Sequence, residues 1–147
     1  MSKKYKYQWL MDKVGLKEPC PFTNCKEAEL KGFRWTFEKI EHDDNFLPKM
    51  LFDEKRKMAT RFNSDEDLLK CSCCALSMFK TLDAATKRYN GMPKRVRQLL
   101  GYTNVASGDI TKKIGVVTSD SRSEHFDLFE YEKVELNKSF QIIAALN

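Results

Sequence analysis

The sequence predicts an α+β fold, a single domain over residues 1–147 with a mixed or largely antiparallel sheet and a few short helices. Three observations predict it. Strand-like alternation occurs early and again late, with helix-like segments between, so strands and helices are segregated rather than strictly interleaved. The length of 147 residues suits one core, because domains of roughly 100–150 residues are the commonest size. Ten Phe, five Tyr and two Trp within a 41% hydrophobic composition supply the apolar surface that offsets chain entropy.

Taken in order, "YKYQWLMDKVGL" (5–16) carries Tyr7, Leu10, Met11 and Val14 at a spacing that one helical face gathers, and predicts a helix ended near Gly15. "KEPCPFTNC" brings two prolines and an Asn within nine residues and predicts a loop. "GFRWTFEKIEH" alternates aromatic and polar residues and predicts a strand over 33–40. The segment 43–70 shows no firm period, although Asn63 or Ser64 before the acids of "NSDEDLLK" predicts the cap of a short helix. "CCALSMF" predicts a buried strand at 73–79. Thr81 is then placed to accept from the Ala84 amide and to start a helix over 82–89, which "NG" stops. Pro93 opens and Gly101 closes a second helix, near 93–100. Three β-branched or aromatic runs predict strands at 112–118, 124–129 and 139–145, expected to be antiparallel neighbours.

No run of about 18 apolar residues is present, and "MSKKYKYQWLMDKVG" lacks the apolar stretch and cleavage site of a signal peptide, so no membrane partner is expected. Five cysteines, three of them crowded into "CSCC", argue against a secreted disulfide scaffold and for a cytoplasmic location. The same cysteines offer a metal set. Cys20 and Cys25 form one C-x4-C pair, Cys71 with Cys73 or Cys74 a second, the latter at C-x2-C spacing, and together they would supply four zinc ligands, with His42 as a substitute. The competing expectation is core burial, the usual fate of free cysteine.

The net charge of +5 concentrates between 87 and 97, where Lys87, Arg88, Lys94, Arg95 and Arg97 occur with Tyr89 and no acid. Such an array could gather phosphate oxygens of a nucleic acid or nucleotide, although solvated lysines and arginines are also ordinary. In "RSEHFDLFE", strand alternation puts His125 and Asp127 on one side and Phe126 and Leu128 on the other, predicting a polar pair opposite the core face. A histidine beside a carboxylate suits general-base or metal-ligand chemistry.

An Arg in an early strand ("FRWTF"), a Ser in a strand feeding a helix ("ALSMFKTLDAATKRY") and late acids give a layout that resembles the ADP-ribosyltransferase folds, small NAD-consuming toxins included. The resemblance implies NAD as cofactor, Arg34 and Ser77 as dinucleotide-holding positions, and Glu124 or Glu130 as the acid that supports cleavage of the nicotinamide bond. The family's Ser-Thr-Ser run is absent, since Met78 and Phe79 follow Ser77. The chain also resembles short uncharacterised bacterial proteins with an "LS-x-F" and a late "H-F" pattern, a likeness that implies no activity.

The functional expectation is therefore a non-enzymatic binding or accessory module engaging a protein or polyanion through the basic turn and helix. Two alternatives stand beside it: an NAD-using ADP-ribosyltransferase-like enzyme, and a zinc-stabilised nucleic-acid-binding module. The sequence leaves open whether the protein is an enzyme.

Overall fold

Antiparallel pairing of six strands in the order β4-β5-β2-β1-β3-β6 forms the centre of the molecule. A computed structural model describes residues 4–57, 67–118 and 122–146. In these residues the elements are α1 (Gln8–Lys13), β1 (Leu30–Thr36), α2 (Lys49–Lys55), α3 (Asp67–Ser72), β2 (Leu76–Phe79), α4 (Leu82–Asn90), α5 (Lys94–Leu100), β3 (Asn104–Ile110), β4 (Gly115–Val117), β5 (His125–Glu130) and β6 (Phe140–Ala145). The expected α+β class is the observed one. No helix among the described residues is long and apolar enough to cross a membrane.

Period-two alternation divides the sheet into two chemically different faces. On one, Leu76, Met78, Ala106, Ile110, Phe126, Leu128 and Phe140 form a buried apolar cluster. On the other, Ser77 pairs with Asp127 and Phe79 with His125 across β2 and β5. Above that second face, Ala85 packs with Phe79 and Val105, and Trp35 donates its indole N–H to the Ala85 carbonyl at 2.9 Å, holding α4 to β1. The predicted cap is made: Thr81 Oγ1 accepts from the Ala84 amide at 3.0 Å. Gly101, at φ 76°, ends α5 in the left-handed conformation that glycine adopts without a Cβ penalty.

The pairing between β1 and β2 is confined to Phe33 and Phe79. Beyond it the buried Arg34 guanidinium bridges the strands to the following loop. Nε donates to Asn45 O at 2.7 Å, Nη1 to Ser77 O at 2.7 Å and Nη2 to Leu47 O at 3.0 Å. Asn45, fully buried, supports the same loop: Oδ1 accepts from the Phe37 amide at 2.7 Å, and Nδ2 donates to the Lys39 and Ile40 carbonyls. Asn45→Ala leaves those backbone groups without their side-chain partner in the interior, and about 2 kcal/mol of stability should be lost. Urea unfolding of the variant beside the parent measures it; a difference under about 0.5 kcal/mol would contradict the structural role given to Asn45.

Four expectations are corrected. β3 was not foreseen, yet it pairs with β1 from Leu30↔Ile110 to Thr36↔Asn104 and with β6 on its other side. Its sequence, "NVASGDI", is poor in large β-formers because the sheet needs small groups there: a Cβ on Gly108 would lie 2.4 Å from the Phe140 ring. The last three strands are therefore not consecutive neighbours, since β4 pairs with β5 whereas β6 forms the far edge beside β3. The run 73–79 is strand only from Leu76, because Cys73 and Cys74 lie in the turn after α3. The helix expected near "NSDEDLLK" is α3, while its suggested caps, Asn63 and Ser64, lie outside the described residues.

The fourth correction concerns the cysteines. Cys20 and Cys71 are joined by a disulfide, so neither can give zinc a thiolate. Burial pushes the Cys25 thiol up to about 11 and the Cys74 thiol up to about 12, which keeps both protonated at neutral pH. Among the described residues no group of three or more His, Cys, Asp or Glu is arranged to hold a metal ion. The four-cysteine zinc set is thus replaced by a cross-link between the Pro-rich loop and α3. The same bond removes cysteine usage as an argument for a reducing compartment.

Candidate functional site

The second face of the sheet, α2, the α3–β2 turn, α4 and α5 enclose a cavity of about 410 Å³. Its floor comes from β2 and β5, where the alternation that buries Leu76, Met78, Phe126 and Leu128 below necessarily turns Ser77, His125 and Asp127 upward. Apolar walls are supplied by Trp35, Phe52, Phe79, Val96, Leu100 and Tyr102. Lys49 from α2 and Arg88 from α4 bring charge to the lining, and Arg34 borders it from between the strands.

The polar floor is a connected group. Ser77 Oγ and His125 Nε2 are 2.5 Å apart. Asp127 Oδ1 lies 3.9 Å from the same His125 nitrogen, and its Oδ2 accepts from Ser72 Oγ at 2.8 Å. The backbone amide of Asp127 donates to Thr118 Oγ1 at 2.9 Å, and that of His125 to Ser123 Oγ at 3.1 Å, so side chains of neighbouring turns fix this stretch of β5. The imidazole is partly open to the cavity, 41% exposed, whereas the Asp127 carboxylate is 11% exposed. The expected polar pair is brought together, on the face opposite the core cluster as alternation required.

Among the described residues three cations, Arg34, Lys49 and Arg88, line the cavity against one carboxylate, Asp127. They are not equally available. Arg34 has three of its N–H groups committed to carbonyls, and burial pulls its pKa down from the usual guanidinium value. Lys49 reaches back to Asp53 Oδ2 at 3.1 Å. Arg88 is exposed, and no carboxylate among the described residues forms an ion pair with it.

The five cations of the basic segment are divided. Arg88 borders the cavity. Lys94 and Arg97 line a separate, shallower depression with Tyr89, Gln98, Gly101 and Tyr102, where the Arg97 guanidinium lies 5.7 Å from the Tyr89 ring centre. Lys87 pairs with Asp83 at 3.1 Å one helical turn away. Arg95 is exposed on α5. Of the residues implied by the ADP-ribosyltransferase resemblance, Arg34 and Ser77 both border the cavity. Glu124 is exposed at the approach to β5, and Glu130 is buried against Lys6 at 2.8 Å on the other face of the sheet; neither borders the cavity.

Sequence reasoning missed Lys49, Phe52, Ser72 and Tyr102 as neighbours of the site. Ser72 carried a signal, since it sits beside the cysteine cluster in "CSCC", but its partner Asp127 is 55 residues away. Comparison with known proteins finds no matching family model, no matching curated protein and no matching solved structure, so the cavity itself carries the functional reading.

Proposed function

We propose that the protein is a binding module for a small anionic ligand that carries a flat apolar group, seated in the cavity above Ser77 and His125. One observation carries this reading: aromatic walls and an excess of cations converge on hydrogen-bonding groups in a space of about 410 Å³, within the roughly 300–1,000 Å³ range of ligand pockets. The Arg88 guanidinium meets the anion, and the Ser77–His125 floor orients it through hydrogen bonds. Trp35, Phe79 and Tyr102 face the apolar part. The reading keeps the expectation of an anionic partner for the basic segment but moves the main contact from a five-cation surface to Arg88 and the cavity.

Phenyl phosphate is a suitable probe. In a ¹H–¹⁵N NMR titration the largest shifts are expected at Ser77, Arg88 and His125. Arg88→Ala should weaken binding about tenfold or more, the equivalent of one charge-assisted hydrogen bond. Neutral phenol should bind more weakly than phenyl phosphate, and added salt should narrow the gap. Equal binding of phenol and phenyl phosphate, or an Arg88→Ala variant with parental affinity, would contradict the proposal.

A second reading, an NAD-using enzyme, is favoured by one observation, the presence of Arg34 and Ser77 at the same cavity. Incubation with NAD followed by assay of free nicotinamide tests it, and no release above a buffer control counts against it. Among the described residues Asp127 is the carboxylate at the cavity, so Asp127→Asn is the informative variant, ahead of Glu124→Gln and Glu130→Gln.

A further inference from the structure

We propose that Ser77 is a nucleophile activated by His125, and that the cavity hydrolyses carboxylic esters, aryl esters with an anionic substituent being the class that fits its walls. This goes beyond ligand binding but rests on the cavity admitting a ligand as proposed above. Ser77 Oγ and His125 Nε2 are in direct hydrogen-bond contact at 2.5 Å, at the short edge of the roughly 2.6–3.2 Å separation that general-base activation uses. Both groups open onto the same cavity.

The chemistry closes without a further reactant. Ser77 Oγ attacks the ester carbonyl carbon while its proton passes to Nε2 of the neutral imidazole, and the carbonyl electron pair moves onto oxygen. Collapse of the tetrahedral intermediate breaks the bond from the carbonyl carbon to the aryloxy oxygen, and the aryloxide leaves as a phenol with the proton from Nε2. Water then attacks the acyl-serine carbonyl and gives a proton to Nε2, and collapse breaks the bond from the carbonyl carbon to Ser77 Oγ, releasing the carboxylic acid while Nε2 returns its proton to the Ser77 oxygen. Asp127 Oδ1, at 3.9 Å from Nε2 and held by Ser72, lowers the cost of the transient imidazolium. The positive charge of Arg88 and Lys49 in the same lining favours the oxyanion.

A fluorophosphonate probe tests the nucleophile. Peptide mass spectrometry on the unmodified chain should find a single adduct, on Ser77, a readout that needs no variant to fold. His125→Gln should slow labelling about 100-fold, at the low end of what a general base supplies. With p-nitrophenyl butyrate, Asp127→Asn should lower kcat about tenfold while KM stays within twofold, a split that simple loss of structure would not produce. No adduct after prolonged incubation, an adduct elsewhere, or labelling unchanged in His125→Gln overturns the dyad. Phenyl phosphate binding to the same preparation separates the two proposals: bound phosphate without an adduct sinks the dyad alone, and neither result sinks both.

Discussion

Replacing Arg34 with Met should cost about 4 kcal/mol, enough to unfold a substantial share of molecules if total stability lies in the ordinary range of roughly 5–15 kcal/mol. The guanidinium is buried and donates to three backbone carbonyls, those of Asn45, Leu47 and Ser77. A Met side chain of similar reach removes all three donors, and each carbonyl left unpaired in the interior costs about 1–3 kcal/mol. The loss is offset in part because the desolvation of the cation disappears with it. Arg34→Lys should recover less than half, since an ammonium cannot span three acceptors with the planar fork that guanidinium provides. Urea denaturation is the measurement: with a slope of about 2 kcal/mol/M, the midpoint of Arg34→Met falls by about 2 M. A loss below about 1 kcal/mol would show that the carbonyls find other partners. Because the same side chain ties Ser77 to the loop carrying Leu47, binding in the cavity should weaken along with stability.

The second large effect lies on the other face of the sheet. Glu130 is 1% exposed and pairs with Lys6, which also donates to the Val134 carbonyl. Lys6→Met leaves the buried Glu130 carboxylate without its ion-pair partner, and breaking a buried pair from one side costs about 3–5 kcal/mol when the remaining charge persists. The cost depends on pH. Burial, more than anything else, raises the Glu130 pKa in the folded protein, and Lys6 opposes that rise. A carboxyl group whose folded pKa lies above its unfolded value of about 4.3 contributes stability below that unfolded pKa and loses it as pH climbs through the folded pKa. Without Lys6 the folded pKa moves higher still, so the loss extends further up the scale. The deficit of Lys6→Met should therefore be smallest near pH 4, which lies below the raised folded pKa in both proteins, and largest at pH 7 and above. Glu130→Gln should flatten this dependence, and the double variant should be more stable at neutral pH than Lys6→Met alone. A deficit that does not vary between pH 4 and pH 8 would contradict a charged, buried Glu130 as its source.

Local chemistry explains which parts of this architecture could be read in advance. Thr81 and Gly101 announce helix boundaries through hydrogen bonding and backbone geometry that involve residues three or four positions away, and both hold in the fold. Alternation in "HFDLFE" separates His125 and Asp127 from Phe126 and Leu128, and the sheet honours it. β3 was hidden because its neighbours dictate small residues: Gly108 lies under the Phe140 ring and Ala106 within the apolar cluster. α2 was hidden for a related reason. Its seven residues bury Met50, Phe52 and Asp53 against different parts of the structure, so no simple apolar stripe marks the helix.

The site was legible in pieces and not as a whole. Ser77, Arg88, His125 and Asp127 were each singled out for separate reasons, but nothing in their spacing brings them to one cavity. Pairing of β2 with β5 does that, across 48 residues from Ser77 to His125. Conversely, five cations crowded in sequence suggested one surface, and helix geometry with a turn between α4 and α5 separates them. The Cys20–Cys71 bond was illegible because its partners lie 51 residues apart and competed with closer cysteines at acceptable metal spacings.

The most direct measurement is a crystal structure of the protein with phenyl phosphate. The ring is predicted against the apolar wall formed by Trp35, Phe79 and Tyr102 and the phosphate within hydrogen-bond distance of Arg88 and the Ser77 hydroxyl. A phosphate found instead on α5, held by Lys94, Arg95 or Arg97, or a cavity without the ligand at a concentration that saturates the protein in solution, would contradict it.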